Sequence, residues 1–165
     1  MSRTLICCSI PIDVPDDVVL GLERARKAAE DGARLVEWRI DALADEPDAA
    51  KLVDRLLSDS PLPAIVTCRG SAEGGAFEGD ETDRVSLLET IGTGESTPRY
   101  IDFELADYQR SANIRQKIDL VVDHEHQVRD LQIGLILSSH DFDGRPNDLM
   151  RRVAAMGESP ACSIA

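Results

Sequence analysis

The sequence contains no apolar run approaching the roughly 18 consecutive residues that a membrane-spanning helix requires. Its opening, "MSRTLICCSIPI", lacks the basic region followed by an apolar stretch that marks a signal peptide. Both absences point to the cytoplasm. Positive charge is scarce as well: 18 Lys and Arg stand against 31 Asp and Glu, a formal net charge of −13. Nucleic acid and anionic membrane both need a positive field, so neither is an expected partner. A small anionic substrate is not excluded, because a single local arginine can hold it. Cysteine is sparse, and Cys7, Cys8, Cys68 and Cys162 make no C-x-x-C pair. Cys7, Cys8 and Cys68 sit inside apolar, strand-like runs, and the four are read as reduced core thiols.

What is present suffices for one domain with a real core: 165 residues, 42% hydrophobic and 30% charged. The apolar run "TLICCSI" (4–10) stops before Pro11, and "PDDVVLGLERARKAAEDG" then repeats Val18, Val19, Leu22, Ala25, Ala28 and Ala29 at helical spacing up to Gly32. This strand-then-helix unit recurs. "RLVEWRID" precedes "EPDAAKLVDRLLSD", "PAIVTCRG" precedes "DETDRVSLLETIG", "RYIDFEL" precedes a long helical stretch from about Ala106, and "IGLILSS" precedes "PNDLMRRVAAMG". A sixth strand starts at "ACSIA". Continuous apolar strands alternating with helices imply a parallel sheet covered by helices, either a barrel or a doubly wound sheet. In both, ligands gather where the strands end.

Those ends carry charge. Glu37, Arg39 and Asp41 alternate with Val36, Trp38 and Ile40, so a period of two puts the three charged residues on one face. Under the helices of a doubly wound sheet such a row would be buried at high cost; in a barrel mouth the charges can meet one another and a ligand. The third strand runs out through Thr67 and Arg69 to Glu73-Gly74-Gly75, the fourth carries Asp102 and Glu104, and the fifth stops at His140. For Asp41 or Asp102 alone, an ion pair closing a layer of the barrel is the preferred reading. For four adjacent strands together, a functional site is.

"VEWRID", "TCRGSAEGG", "YIDFEL" and "SSHDF" resemble, in this order, the motifs of type I 3-dehydroquinate dehydratase, over about Leu5 to Gly157. The resemblance implies an α/β fold of the (β/α)8 barrel type, of which residues 1–165 form a single, partial domain of about five to six βα units. It also implies a reaction: 3-dehydroquinate becomes 3-dehydroshikimate in the shikimate pathway. A lysine imine acts as electron sink, and a histidine removes the neighbouring proton and helps water leave. Histidine suits both transfers because imidazole titrates near neutrality. By resemblance His140 is that general acid and base, and Glu73 orients it. Glu37, Arg39 and Arg69 bind substrate, and Ser9, at the end of the first strand, matches a further substrate-binding position. An arginine's planar fork suits a hydroxylated anion. No cofactor and no metal are implied.

The family's imine lysine lies on the sixth strand, and no lysine follows Lys117; laid against "SIA" it falls at Ser163 or just past Ala165. Lys27, Lys51 and Lys117 lie on predicted helices. The expectation is a chain that stops before that lysine and carries the His/Glu/Arg part of the site. Its protein partner would be a second copy or the remainder of a fusion polypeptide. A catalytically inactive homologue serving as a binding module is the alternative. "HEH" at 124–126 lacks a third ligand nearby, "GTGEST" at 92–97 lacks a phosphate-loop lysine, and Ser138 and Ser139 are not on a nucleophile elbow. All three stretches are read as structural.

Overall fold

The computed structural model describes residues 4–129, 133–159 and 161–164. Six parallel strands, β1 (Cys7–Pro11), β2 (Leu35–Arg39), β3 (Ala64–Thr67), β4 (Tyr100–Glu104), β5 (Gly134–Ser138) and β6 (Cys162–Ile164), lie in the order of the sequence. A doubly wound sheet would show a jump in strand order at its switch point; here each strand pairs with the next, the order of a barrel wall. Helices α1 (Asp17–Glu30), α2 (Ala49–Asp59), α3 (Glu81–Gly92), α4 (Leu105–Arg110), α5 (Ala112–Arg129) and α6 (Leu149–Glu158) fill the connections. Among the described residues β1 and β6 form the two edges, and no helix is long and apolar enough to cross a membrane.

Alternation divides each strand between two faces. Ile10, Trp38, Val66, Ile101 and Leu135 are buried in a cluster with Val18, Leu22, Val53, Leu56, Leu88, Ile118 and Val121 of the helices. Burial of that kind is worth roughly 1.5–3 kcal/mol per large side chain and holds the wall together. The register Pro11–Arg39–Thr67–Asp102–Ile136 runs across five strands on the opposite face, one step beyond Ser9–Glu37–Ile65–Tyr100–Gly134. Cys7 shares this second face and is exposed, Cys8 is half-buried, and Cys68 is buried just past β3. Cys68 is therefore a core thiol and Cys8 packs against the core, whereas Cys7 is not a core thiol; an apolar run does not reveal which of its residues turn from the helices. The side chains of His124, Glu125, His126, Cys162 and Ser163, and all of Ala165, lie outside the described residues.

The long helix expected after the fourth strand is two helices. Ser111 is extended (φ −150°, ψ 140°), and its hydroxyl accepts the Ile114 amide at 3.2 Å, so it ends α4 and opens α5 as a serine cap does. The start of α3 is built in a similar way, with Asp80 accepting the Thr82 amide at 2.7 Å and Glu81 and Asp83 in the first turn, where the helix dipole favours anions.

Candidate active site

Three carboxylates on the face away from the helices fix the groups around them. Asp41, just past β2, is 5% exposed and accepts four hydrogen bonds: from Nε (3.2 Å) and Nη2 of Arg39, from the Arg69 amide at 2.8 Å and from the Ala76 amide at 3.4 Å. The bidentate fork keeps Arg39 charged, with its pKa above the ordinary arginine value. Asp102 accepts from Arg69 Nη2 and from the Ser138 hydroxyl, both at 3.1 Å. Burial pushes the Asp102 carboxyl above the usual aspartate range, with Arg69 and Ser138 pulling against it. Glu37 takes the Thr67 hydroxyl at 2.8 Å and lies 4.0 Å from Arg69 Nη2. Arg69 Nε is buried with no partner among the described residues.

Beyond Arg69 the chain makes a tight loop that carries Glu73. The Glu73 and Gly75 amides both return to the Gly70 carbonyl, at 3.1 and 3.0 Å, and Gly70 bridges to Phe77. The two glycines of "AEGG" are required for different reasons. Gly74 has φ +78°, the left-handed region. At Gly75 a Cβ would stand 1.9 Å from the Arg69 carbonyl oxygen.

The loop brings Glu73 to the end of β5, where three consecutive residues are each tied to a different element. Ser138 donates to Asp102 of β4, Ser139 accepts Arg152 Nη1 of α6 at 2.9 Å, and His140 meets Glu73. One Glu73 oxygen takes both the His140 amide at 2.8 Å and Nδ1 at 3.0 Å. Against a carboxylate Nδ1 is the protonated nitrogen, which leaves Nε2 with the lone pair. The serines are anchors of the histidine.

Of the residues expected at the site, the structure thus gathers Glu37, Arg39, Arg69, Glu73 and His140 at the ends of β2, β3 and β5. Ser9 lies on the same face, opposite Glu37 in register and exposed. Glu104 differs: although two residues from Asp102, it bonds the Gly70 amide at 2.9 Å and Nη1 of Arg84 at 2.7 Å. Arg84, on α3, is fully buried, and nothing in the sequence motifs singles it out. A signal was there, since 84, 88 and 91 share one helical stripe with Leu88 and Ile91. A cleft of about 760 Å³ adjoins the site, sharing Glu73 and His140 with it and continuing between Leu105, Arg110, Arg152 and Ala155. Among the described residues no group of three or more His, Cys, Asp or Glu side chains is placed to hold a metal.

The profile of a family described as type I 3-dehydroquinase matches residues 6–162. The 3-dehydroquinate dehydratase of Methanosarcina acetivorans is 36% identical over 128 residues, 76% of this chain and 49% of that protein. The bifunctional 3-dehydroquinate dehydratase/shikimate dehydrogenase of Arabidopsis thaliana is 34% identical over 160 residues, 96% of this chain and 24% of that protein. The chain spans about half the length of the archaeal relatives. The crystal structure of type I 3-dehydroquinate dehydratase from Clostridium difficile superposes with a TM-score of 0.76 at 24% identity, covering 98% of this chain and 61% of that one, a likeness of fold.

Proposed function

The chain belongs to the type I 3-dehydroquinase family, and from that premise we propose that it carries the proton-transfer and hydroxyl-binding part of a site that dehydrates 3-dehydroquinate to 3-dehydroshikimate. The observation that carries this reading is the single Glu73 oxygen that holds both the amide and Nδ1 of His140, since it fixes the ring and leaves Nε2 as the base. In the reaction Nε2 takes the proton alpha to the imine carbon, and the C–H electrons move into the enamine. The enamine then expels the neighbouring hydroxyl, the imidazolium returns its proton to the leaving oxygen, and water departs with a C=C bond left behind. Arg39 and Arg69, held by Asp41 and Asp102, offer their remaining donors to the substrate hydroxyls, with Glu37 and Ser9 beside them.

The imine requires an amine, and Lys27, Lys51 and Lys117 sit on α1, α2 and α5, away from the strand ends. We assign it to a lysine that residues 1–165 do not supply. Those lysine positions also favour the second reading, a module that binds the substrate without forming an imine. Titration of isotopically labelled protein with 3-dehydroquinate should move the resonances of Arg39, Arg69 and His140; if millimolar substrate leaves all three in place, both readings fail. Borohydride added to the bound state then separates them, because only an imine leaves a stable mass adduct.

A further inference from the structure

We propose that Arg84 and Glu104 form a positioning pair for this site, fixing the Arg69–Glu73 segment through its main chain, and hence Glu73 against His140. The proposal rests on the dehydratase reading for its purpose, but its geometry stands on its own. Arg84 is 0% exposed and spends its whole guanidinium on the protein. Nε and Nη2 bond Glu81 at 2.9 and 2.7 Å, Nη2 bonds Asp107 at 2.9 Å, and Nη1 bonds Glu104 at 2.7 Å and the Cys68 carbonyl at 2.9 Å. Its Cζ lies 4.7 Å from the Phe103 ring centroid. Burial alone would lower its pKa; Glu104 and Glu81 more than reverse that, so the head stays charged.

A buried arginine among carboxylates is commonly no more than a tie between a helix and a strand. Here the partners are arranged around one residue. Arg84 donates to the carbonyl of Cys68, Glu104 accepts the amide of Gly70 with its other oxygen, and Asp41 accepts the amide of Arg69 itself. Three consecutive residues are therefore fixed by three buried charged side chains, and the middle one reaches Asp102. The restraint then propagates down the loop. Gly70, held by its amide, offers its carbonyl to the Glu73 and Gly75 amides, which sets where the Glu73 carboxylate stands. Neither Arg84 nor Glu104 touches His140. Both act through the peptide that carries its partner, and both are positioning residues, not catalytic ones.

The His140 amide is the reporter, because it donates to Glu73 and contacts neither member of the pair. Amide hydrogen exchange is measured in the parent and in Glu104→Gln and Arg84→Lys, which break the pair from opposite ends. Expected is at least a tenfold rise in the exchange of His140 relative to Ile136 of β5 in either folded variant. A ratio within twofold of the parent, or a uniform rise at all amides as general destabilisation gives, overturns the proposal. Should neither variant fold, the parent decides: under increasing urea the Gly70 and His140 amides should exchange through one shared opening, with rates tracking within twofold, and independent openings refute the coupling. Adding 3-dehydroquinate to the parent tests the functional reading separately. Absence of binding sinks that reading and leaves the exchange result to decide the positioning role.

Discussion

Asp41→Asn should destabilise the protein by an amount calculable from the site. The side chain is buried, keeps its size on substitution, and at present accepts four hydrogen bonds from Arg39, Arg69 and Ala76. Asparagine keeps one accepting oxygen and turns an NH2 group toward donors. Whichever way the amide is flipped, about two of the bonds are lost, and bonds to a charged group are worth about 1.5–3 kcal/mol each. The expected cost is therefore about 3–6 kcal/mol, the lower end applying if the partly exposed Arg39 recovers water; this is a large share of the roughly 5–15 kcal/mol typical of a domain. Trp38 is the sole tryptophan, fully buried and on β2 beside the affected turn, so its fluorescence reports the unfolding. With a urea dependence of about 2 kcal/mol per molar, the midpoint should fall by about 1.5–3 M. A fall of less than about 0.5 M would mean that Asp41 is solvated in the native state and that its four bonds do not organise the arginines.

Gly75→Ala should shift the 70–77 loop, because the new methyl has no room against the Arg69 carbonyl; a thermal midpoint and a His140 amide shift equal to those of the parent would contradict that. Tyr108, whose hydroxyl bonds Asp119 at 2.6 Å and Ser159 at 3.0 Å, has its pKa pushed up to about 12 by burial and by Asp119. A folded pKa above the unfolded value of about 10 means stability present below pH 10 and lost as pH rises toward 12, so Tyr108→Phe should flatten the decline in that window; denaturation curves that fall in parallel for both proteins refute it. In a protein that carries the imine lysine, His140→Ala should abolish turnover of 3-dehydroquinate while leaving borohydride trapping intact, and near-normal turnover would remove His140 from its assigned role.

The strands and their charged ends were legible because a period of two survives in a short sequence: Glu37 and Arg39 stand apart from Val36 and Trp38 whatever the tertiary contacts. The break at Ser111 was not, since "ADYQRSANIRQK" contains neither Gly nor Pro and a serine cap shows only once the backbone is seen to be extended there. Glu104 shares the parity of Asp102, and alternation places both on one face. What separates them is that Glu104 is the last residue before α4, within reach of the Gly70 amide and Arg84, neither of which is close to it in the sequence. Arg84 escaped because a charge on a helix is ordinarily solvated, an expectation that its place on the stripe of Leu88 and Ile91 should have overridden.

Each arginine that shapes the site is held by a buried acid: Arg39 by Asp41, Arg69 by Asp102 and Arg84 by Glu104. Desolvating such pairs costs most of what their attraction returns, so they are poor sources of stability. What they supply is aim: a guanidinium tied to a fixed carboxylate, by two bonds at Arg39 and by one at Arg69, is restrained, and its unused donors are oriented in advance of a ligand. Pairing also removes the field. Around the ends of β2, β3 and β4 two arginines face the carboxylates of Glu37, Asp41 and Asp102, and this region carries no surplus positive charge even with Asp102 drawn toward its neutral form. Donors aimed from a near-neutral surface suit hydroxyl groups, whose binding gains from direction more than from charge. On the proposed reading, the carboxylate of an anionic substrate would therefore have to be met by cations elsewhere, and the part of the site described here would orient the substrate's hydroxyls relative to His140.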